Sequence, residues 1–294
     1  MKAFNYLGMT ALAVVCALSA CTTTPKKDPR QLDPKQASEL AALGTRDFGI
    51  QWEGPLVGAH ERGVVAVTDG VTTLTQRAGA RVFIVHNRKE FPPTEQTAFA
   101  GSDAELADIG TKFLQAAGVG KDEIANTQVL QQFTQSGEVL PGGKEVKVLP
   151  PQKSYRTLMV SRRIGGVDVV SSRLMLNLDR AGRVAFMEMA WPEISREVLD
   201  RAARYQVLAA GKFVAPRVEG AEVESVQAVV LHTPAIGFYN DTTAAIRVIY
   251  RPISEQVGQK AVRYVDEQGK DVVPPRDIER LREPPVQREE RKPQ

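Results

Sequence analysis

The sequence predicts an α+β fold in which helices pack on antiparallel β-sheets, arranged as two units in tandem. Two observations favour this class. Two segments, which begin near Ser102 and Ser195, place apolar residues along one face of a helix. Each segment is followed by runs of alternating apolar residues that turn residues separate, as in antiparallel hairpins. We expect an N-terminal unit over residues 35–194 and a second unit over residues 195–273.

The first 20 residues are typical of a secretory signal peptide. Lys2 supplies a positive charge, and no charged side chain occurs between Ala3 and Ala20. This apolar stretch is short for a permanent membrane-spanning helix, and it ends on small residues that fit the cleft of a signal peptidase. We therefore expect that the protein is exported and that residues 1–20 are removed.

Residues 18–21 (LSAC) close this stretch and resemble the lipobox of bacterial lipoproteins. The resemblance implies that diacylglycerol alkylates the thiol of Cys21, which becomes the new N-terminus and anchors the chain in a membrane. Cys16 would leave with the signal peptide, so the mature chain could form no internal disulfide. Thr22, where an Asp would favour the inner membrane, indicates the outer membrane. The alternative is a plain secreted protein or an uncleaved anchor.

Polar, proline-containing segments flank the predicted folded part. Residues 21–34 are expected to form a flexible tether between the anchor and the fold. Residues 274–294 are rich in proline and in charges of both signs, which predicts a disordered tail. The tail is interpreted as a solvated terminus, with binding to a partner or to the cell wall as the alternative.

Between these segments the elements follow in order. Residues 46–100 contain short strand-like runs, which we interpret as extra strands on the same or an adjoining sheet; a separate module is the alternative. Ser102 and Glu105 form a capping-box pattern, and Gly118 supplies the stop of the first helix. The second helix is expected to begin after Ser195.

Residues 155–191 are expected to form an antiparallel meander, and their central part carries a family resemblance. Residues 161–184 (SRRIGGVDVVSSRLMLNLDRAGRV) combine a Gly-Gly turn, alternating apolar residues and an Asp-x-x-Gly turn. This stretch resembles the core of PepSY-like domains and of the related thermolysin-type propeptide domains, which usually carry a glycine at the step where Val170, Ser171 and Ser172 stand. The resemblance implies tandem PepSY-like units that bind or regulate secreted peptidases, and it implies no catalytic residues.

A search for catalytic motifs agrees with a binding role. The three histidines, His60, His86 and His232, are solitary, and no spacing typical of zinc ligands occurs. The chain has no nucleophile elbow, phosphate loop or dinucleotide fingerprint, so we expect no catalytic residues, metal or cofactor. The rival hypothesis is an envelope hydrolase whose residues converge only in the fold. Two close carboxylates in a deep cleft, or a serine beside a histidine, would favour it.

The remaining aromatic and basic side chains are interpreted one by one. Phe238 and Tyr239 lie in a loop between strand-like runs and form a candidate partner-binding site, with a flap folded onto the core as the alternative. Trp191 is interpreted as a core residue at the corner between a strand and a helix. Arg162 and Arg163 are interpreted as a solvated strand edge that discourages unwanted pairing.

Together these patterns predict a lipoprotein that Cys21 anchors to the outer membrane, facing the periplasm. Its function is expected to be non-catalytic: binding, assembly, or regulation of a peptidase in the cell envelope. The formal net charge of +3 gives no argument for a nucleic-acid partner. The alternatives are the envelope hydrolase and a structural lipoprotein that links the membrane to the cell wall.

Overall fold

A computed structural model describes residues 31–61, 63–77, 80–139, 146–234, 240–253 and 261–272. Cys21, Phe238 and Tyr239 lie outside the described residues, as do the predicted signal peptide and the predicted tail. The statements below concern the described ranges.

Three α-helices and a short 3₁₀ turn are present in the described chain. They are α1 (Pro34–Phe48), α2 (Asp103–Ala116), the 3₁₀ turn (Lys121–Glu123) and α3 (Arg196–Ala209). The strands are β1 (Val57–Glu61), β2 (Val64–Thr68), β3 (Thr72–Arg77), β4 (Val82–Asn87), β5 (Ile124–Thr134), β6 (Gly137–Val139), β7 (Val146–Val148), β8 (Gln152–Ile164), β9 (Val167–Leu178), β10 (Val184–Ala190), β11 (Ala221–Pro234), β12 (Asn240–Pro252) and β13 (Ala261–Val265).

Eleven of these strands form one mixed sheet, and this finding corrects the predicted fold class. The strand order is β1-β2-β3-β4-β10-β9-β11-β12-β13, while β8 pairs with β9 and carries β5 on its other side. Strands account for 47% of the described residues and helices for 21%. The prediction of an α+β fold with helices packed on antiparallel sheets in tandem units is therefore wrong. The chain is mostly β, and one sheet runs through both halves.

Strand β9 joins the two halves of this sheet. Its residues 173–178 pair antiparallel with β10, whereas residues 168–170 pair in parallel with β11. On its other side, β9 pairs with β8 along both parts. Residues 170–172 of β9 have no partner on β8. Ser171, at the centre of this bulge, has a φ of 67°, the left-handed conformation that glycine adopts most easily. At this bulge, the strand that pairs with β9 changes from β11 to β10. The PepSY-like pattern expects a glycine at this step.

Two hydrophobic clusters lie on the helical side of the sheet. The first packs beneath α1 and α2 and includes Phe48, Leu158 and Trp191. The second packs beneath α3 and includes Tyr205 and Tyr250. Burying one such large side chain contributes about 2 kcal/mol to the free energy of folding, so these clusters dominate the stability of the sheet.

Two of the three helices follow the sequence prediction. The side chain of Ser102 accepts a hydrogen bond from the Glu105 backbone N–H, and the Glu105 carboxylate accepts from the Ser102 N–H, which confirms the capping box. Helix α3 begins after Ser195 as expected, and the side chain of Ser195 caps it by accepting a hydrogen bond from the Val198 N–H. Gly110 of α2 brings its backbone so close to Leu158 that a Cβ there would lie 2.1 Å from a leucine methyl carbon.

Helix α1 was not predicted, although its signals are in the sequence. Asp33 caps its N-terminus by accepting a hydrogen bond from the Lys35 N–H, Pro34 starts it, and Gly49 ends it in the left-handed conformation. Residues 46–100 contribute β1 to β4, which extend the same sheet through the pairing of β4 with β10. This pairing matches the interpretation of this region as extra strands on one sheet.

Candidate functional site

Arg162 occupies the boundary between the two hydrophobic clusters, and only 2% of its side chain is exposed. The interpretation of Arg162 as part of a solvated strand edge is therefore wrong. It shares a face of β8 with Leu158 and Val160, so it points into the interior. Arg163, on the opposite face, is half-exposed and pairs with Asp168.

The guanidinium of Arg162 is held by groups from two distant segments. Its Nε and Nη2 atoms lie 2.8 and 2.7 Å from Oε2 of Glu123, and its Nη1 donates to the carbonyl oxygen of Pro192 at 2.6 Å. The indole Nε1 of Trp191 donates to the same Glu123 oxygen at 2.9 Å, and the guanidinium lies 5.4 Å from the indole centroid. We call Arg162, Glu123, Trp191 and Pro192 the arginine junction.

Electrostatics make the arginine junction depend on its carboxylate. Burial lowers the pKa of Arg162, and the attraction of Glu123 opposes that shift. Removing one partner of a buried ion pair costs about 3 to 5 kcal/mol, because the other charge remains without compensation. The junction holds the end of β10, the 3₁₀ turn that follows α2 and the approach to α3 around one side chain.

His232 lies on β11, directly after the last residue of that strand that pairs with β9. Its side chain is 1% exposed, and its Nδ1 atom has no hydrogen-bond partner among the described residues. The pKa of His232 is lowered to about 4, mainly by burial and also by the positive charges of Arg162, Arg77 and Arg173, while a hydrogen bond to the Ser171 backbone opposes the shift. The imidazole is therefore neutral at neutral pH.

Two carboxylates converge at the turn between β9 and β10. Asp179 is buried and accepts hydrogen bonds from the backbone N–H groups of Ala181 and Arg183, at 2.9 and 2.8 Å. The Arg183 guanidinium donates to Asp179 at 2.7 Å and to Glu90 at 2.7 Å. Burial and the nearby charge of Asp179 raise the pKa of Glu90. We call Glu90, Asp179 and Arg183 the acidic turn.

A small cavity of about 40 Å³ lies beside the acidic turn, between α1 and the sheet. Its lining includes Glu53, Asn87, Arg183 and Thr72, whose side-chain Oγ1 is buried without a hydrogen-bond partner. This volume is enough for ordered water but too small for a polymer substrate. The two close carboxylates thus stabilise a turn beside a small cavity, and they do not line a deep cleft.

The other histidines have different surroundings. The ring of His86 packs edge to face on Phe91, with centroids 5.4 Å apart, and burial lowers its pKa. His60 is exposed on β1. The histidine that contacts a serine is His232, and its contact is with the backbone of Ser171 rather than with its hydroxyl. Within the described ranges, no three His, Cys, Asp or Glu side chains are grouped closely enough to hold a metal ion.

Sequence reasoning missed the arginine junction and the acidic turn, although one signal was available for the first. Residues 158, 160, 162 and 164 alternate on one strand, so Arg162 shares the apolar face that Leu158 and Val160 define. A charged residue on that apolar face is buried, and it then needs a partner of opposite charge. Its partner Glu123 lies 39 residues away, and no local pattern identifies it.

A second candidate surface is exposed rather than buried. Beyond the end of β9, the β5–β8 hairpin continues as a two-stranded segment, and β6 and β7 extend it. We call residues 132–139 and 146–154 the distal ribbon. Phe133 and Val148 on this ribbon are 57% and 63% exposed. No third strand within the described chain pairs with it.

Comparisons with known proteins show no family. No protein-family model matches the sequence, and no curated protein matches it. One similar solved structure is the crystal structure of an uncharacterized protein from Eubacterium rectale ATCC 33656, at 9% sequence identity and a TM-score of 0.39. That match covers 83% of this chain and 84% of the other. Among the described residues, every helix is too short or too polar to span a membrane.

Proposed function

We propose that this protein is a lipid-anchored binding module of the bacterial cell envelope, whose distal ribbon contacts a partner protein. The observation that carries the proposal is the exposure of Phe133 and Val148 on a two-stranded segment. A large apolar side chain in water is unfavourable, and a partner surface that covered it would recover about 1.5 to 3 kcal/mol for each residue fully buried.

The local structure suits this role. The backbone of the distal ribbon is paired, since the Leu149 N–H donates to the Ser136 carbonyl oxygen at 2.8 Å and β6 pairs with β7. At the base of the ribbon, Tyr155 packs on Phe91. The ribbon therefore presents its apolar side chains from a backbone that is already ordered, which reduces the entropy lost on binding.

The sequence resemblances support the same class of function. The lipobox-like residues 18–21 support an anchor at Cys21, with the fold facing the periplasm from the outer membrane. The PepSY-like pattern over residues 161–184 supports a binding role, with an envelope protein or a peptidase as the partner. The acidic turn gives no specific support to the hydrolase alternative, because Arg183 and backbone N–H groups occupy its carboxylates.

The anchor is tested by replacing its thiol. Cys21→Ser should release the protein from the membrane fraction, whereas Cys16→Ser, the matched control within the signal peptide, should leave it there. Mass spectrometry of the parent's mature N-terminus should find a lipid on Cys21. If C21S sediments with membranes as the parent does, and the parent carries no lipid, the anchor is disproved.

The partner surface is tested with a photo-activated cross-linking residue in intact cells. Placed at Phe133 or Val148, the probe should yield one discrete adduct with another envelope protein. Placed at Val214, which is exposed after α3 and far along the chain from the ribbon, it should not. Equal adducts at all three positions, or none at Phe133 and Val148, would contradict the proposal.

A further inference from the structure

The large sheet ends in three edge strands, β1, β13 and β5. An edge strand carries unpaired backbone N–H and C=O groups, which can pair with another strand. Proteins usually protect such edges with charges, prolines, bulges or covering segments. The three edges of this sheet differ in how they are protected.

Within the described residues, the chain itself covers part of two of the three edges. On β1, Gln31 forms a bridge with Ala59, and the Leu32 N–H donates to the Gly58 carbonyl oxygen at 3.1 Å. On β13, Asp271 forms a bridge with Val265. These covering segments satisfy backbone groups that a second molecule would otherwise reach.

The third edge, on β5, has no such cap in the part of the chain that the structure describes. There, β5 pairs with β8 alone. Its eleven residues (IANTQVLQQFT) include no charged residue and no proline. The ladder with β8 is irregular at both ends of β5 but regular from Asn126 to Gln131. Residues 126–130 of this segment are long enough to accept another strand.

We infer that β5 of one copy pairs antiparallel with β5 of a second copy, so that one sheet continues through a two-fold symmetric dimer. In such a pair each residue faces a symmetry-related residue of the same strand, so a charge near the centre would meet its own sign. The absence of charge on β5 removes that penalty. The inference rests on neither the anchor nor the partner proposed above.

The side chains of β5 are also self-complementary. Asn126, Thr127 and Gln128 each carry a group that both donates and accepts hydrogen bonds, so identical side chains can bond to each other across a two-fold axis. Asn126 and Thr127 are exposed, and they are available for such contacts. A strand that recognised a charged partner segment would instead need a complementary charge, which β5 lacks.

The first test measures the mass of the full mature chain in detergent by light scattering over a range of concentrations. We expect a dimer that dissociates on dilution. Thr127→Lys and Gln128→Lys should each raise the dimer dissociation constant at least about tenfold, because both positions lie near the centre of the regular segment and two like charges then approach across the axis. Ala261→Lys, on the exposed position of the capped β13 edge, is the matched control and should leave the dimer unchanged.

The second test uses single cysteines along residues 125–132 and oxidation in intact cells. The parent chain without an added cysteine controls for Cys16 and Cys21. We expect disulfide-linked dimers only at the one or two positions nearest the symmetry axis, because every other residue is displaced along the strand from its own copy. A monomer at every concentration, a dimer that the β5 lysines leave intact, or adducts only with a different protein would overturn the inference.

The two proposals fail separately. A dimer through β5 in cells that give no adduct at Phe133 or Val148 would contradict the partner surface and leave this inference standing. Far-ultraviolet circular dichroism of both lysine variants confirms that they fold, so that a lost dimer reports on the edge and not on unfolding.

Discussion

Glu123 and Arg162 form a buried ion pair in which one carboxylate oxygen lies 2.7 Å from Nη2 of the guanidinium. The same oxygen accepts the indole N–H of Trp191. One side chain thus compensates a buried charge and fixes the largest side chain of the core. The junction is therefore more sensitive to change than any of the exposed ion pairs.

Replacing Glu123 with glutamine should destabilise the protein by about 3 kcal/mol or more, because Arg162 then stays buried without a counter-charge. Urea unfolding, followed by circular dichroism, measures the change. Glu197→Gln, which removes the exposed pair between Glu197 and Arg201 on α3, is the control and should cost less than about 1 kcal/mol. Equal effects of the two variants would show that the junction contributes no more than a surface pair.

Ser171→Gly should stabilise the protein by about 0.5 to 1 kcal/mol, since glycine adopts the left-handed conformation of residue 171 without steric cost. Thermal unfolding measures the shift. Ser161→Gly, at an exposed position on the neighbouring β8, is the comparison and should destabilise by about 0.5 to 1 kcal/mol through the extra freedom of the unfolded chain. A loss of stability in S171G would mean that the serine side chain contributes more than the strain costs.

His232→Gln should reduce the change in the free energy of unfolding between pH 6.5 and pH 4. The pKa of His232 is about 4 in the folded protein and about 6.5 in the unfolded chain, so the unfolded state binds more protons between these values. The parent's stability is complete above pH 6.5 and falls as the pH drops toward 4, by about 3 kcal/mol in total.

Urea unfolding from pH 7 to pH 4 compares the parent with H232Q. The difference between them should shrink as the pH falls, because only the parent loses this contribution. His60→Gln, at an exposed position on β1, should keep the parent's profile. Parallel pH profiles of the parent and H232Q would refute the role of His232.

Thr72→Val should raise the free energy of unfolding by about 1 kcal/mol, because valine has the shape of threonine and removes a buried hydroxyl that has no hydrogen-bond partner among the described residues. Ser172→Ala is the matched contrast. Its hydroxyl is equally buried but donates to the Ala190 carbonyl oxygen at 2.7 Å, so its removal should cost about 1 kcal/mol. A destabilised T72V would indicate that the hydroxyl binds a group held in the 40 Å³ cavity.

Local patterns in the sequence predicted the elements better than their arrangement. The capping box at Ser102 and the start of a helix after Ser195 depend on neighbouring residues, and both were confirmed. The parallel pairing of Val169 with Val230 joins strands that are far apart in the chain, and no turn or alternation announces it. The prediction of the fold class was wrong for this reason. Two successive patterns of a helix followed by strands indicated two units, because no local pattern shows that their strands belong to one sheet.

The candidate sites divide in the same way. The face of β8 that holds Arg162 could be read from alternation, but its partner Glu123 could not. Asp179 belongs to a turn that the sequence predicted, whereas Glu90 reaches it from a segment 89 residues earlier in the chain and is placed there through Arg183. Periodicity reveals which side chains turn inward. It does not reveal which distant side chain they meet.

The position of β9 between both halves has a consequence for how the molecule can be divided. A fragment that stopped at residue 194 would keep β9 but lose β11, and residues 168–170 would present bare hydrogen-bonding groups to solvent. A fragment that began at residue 195 would leave the same groups of β11 uncovered. If the chain is exported unfolded, as the proposed anchor implies, it passes through the first of these conditions before β11 and β12 follow. During that interval, a chaperone or a nearby strand could occupy the place that β11 later takes.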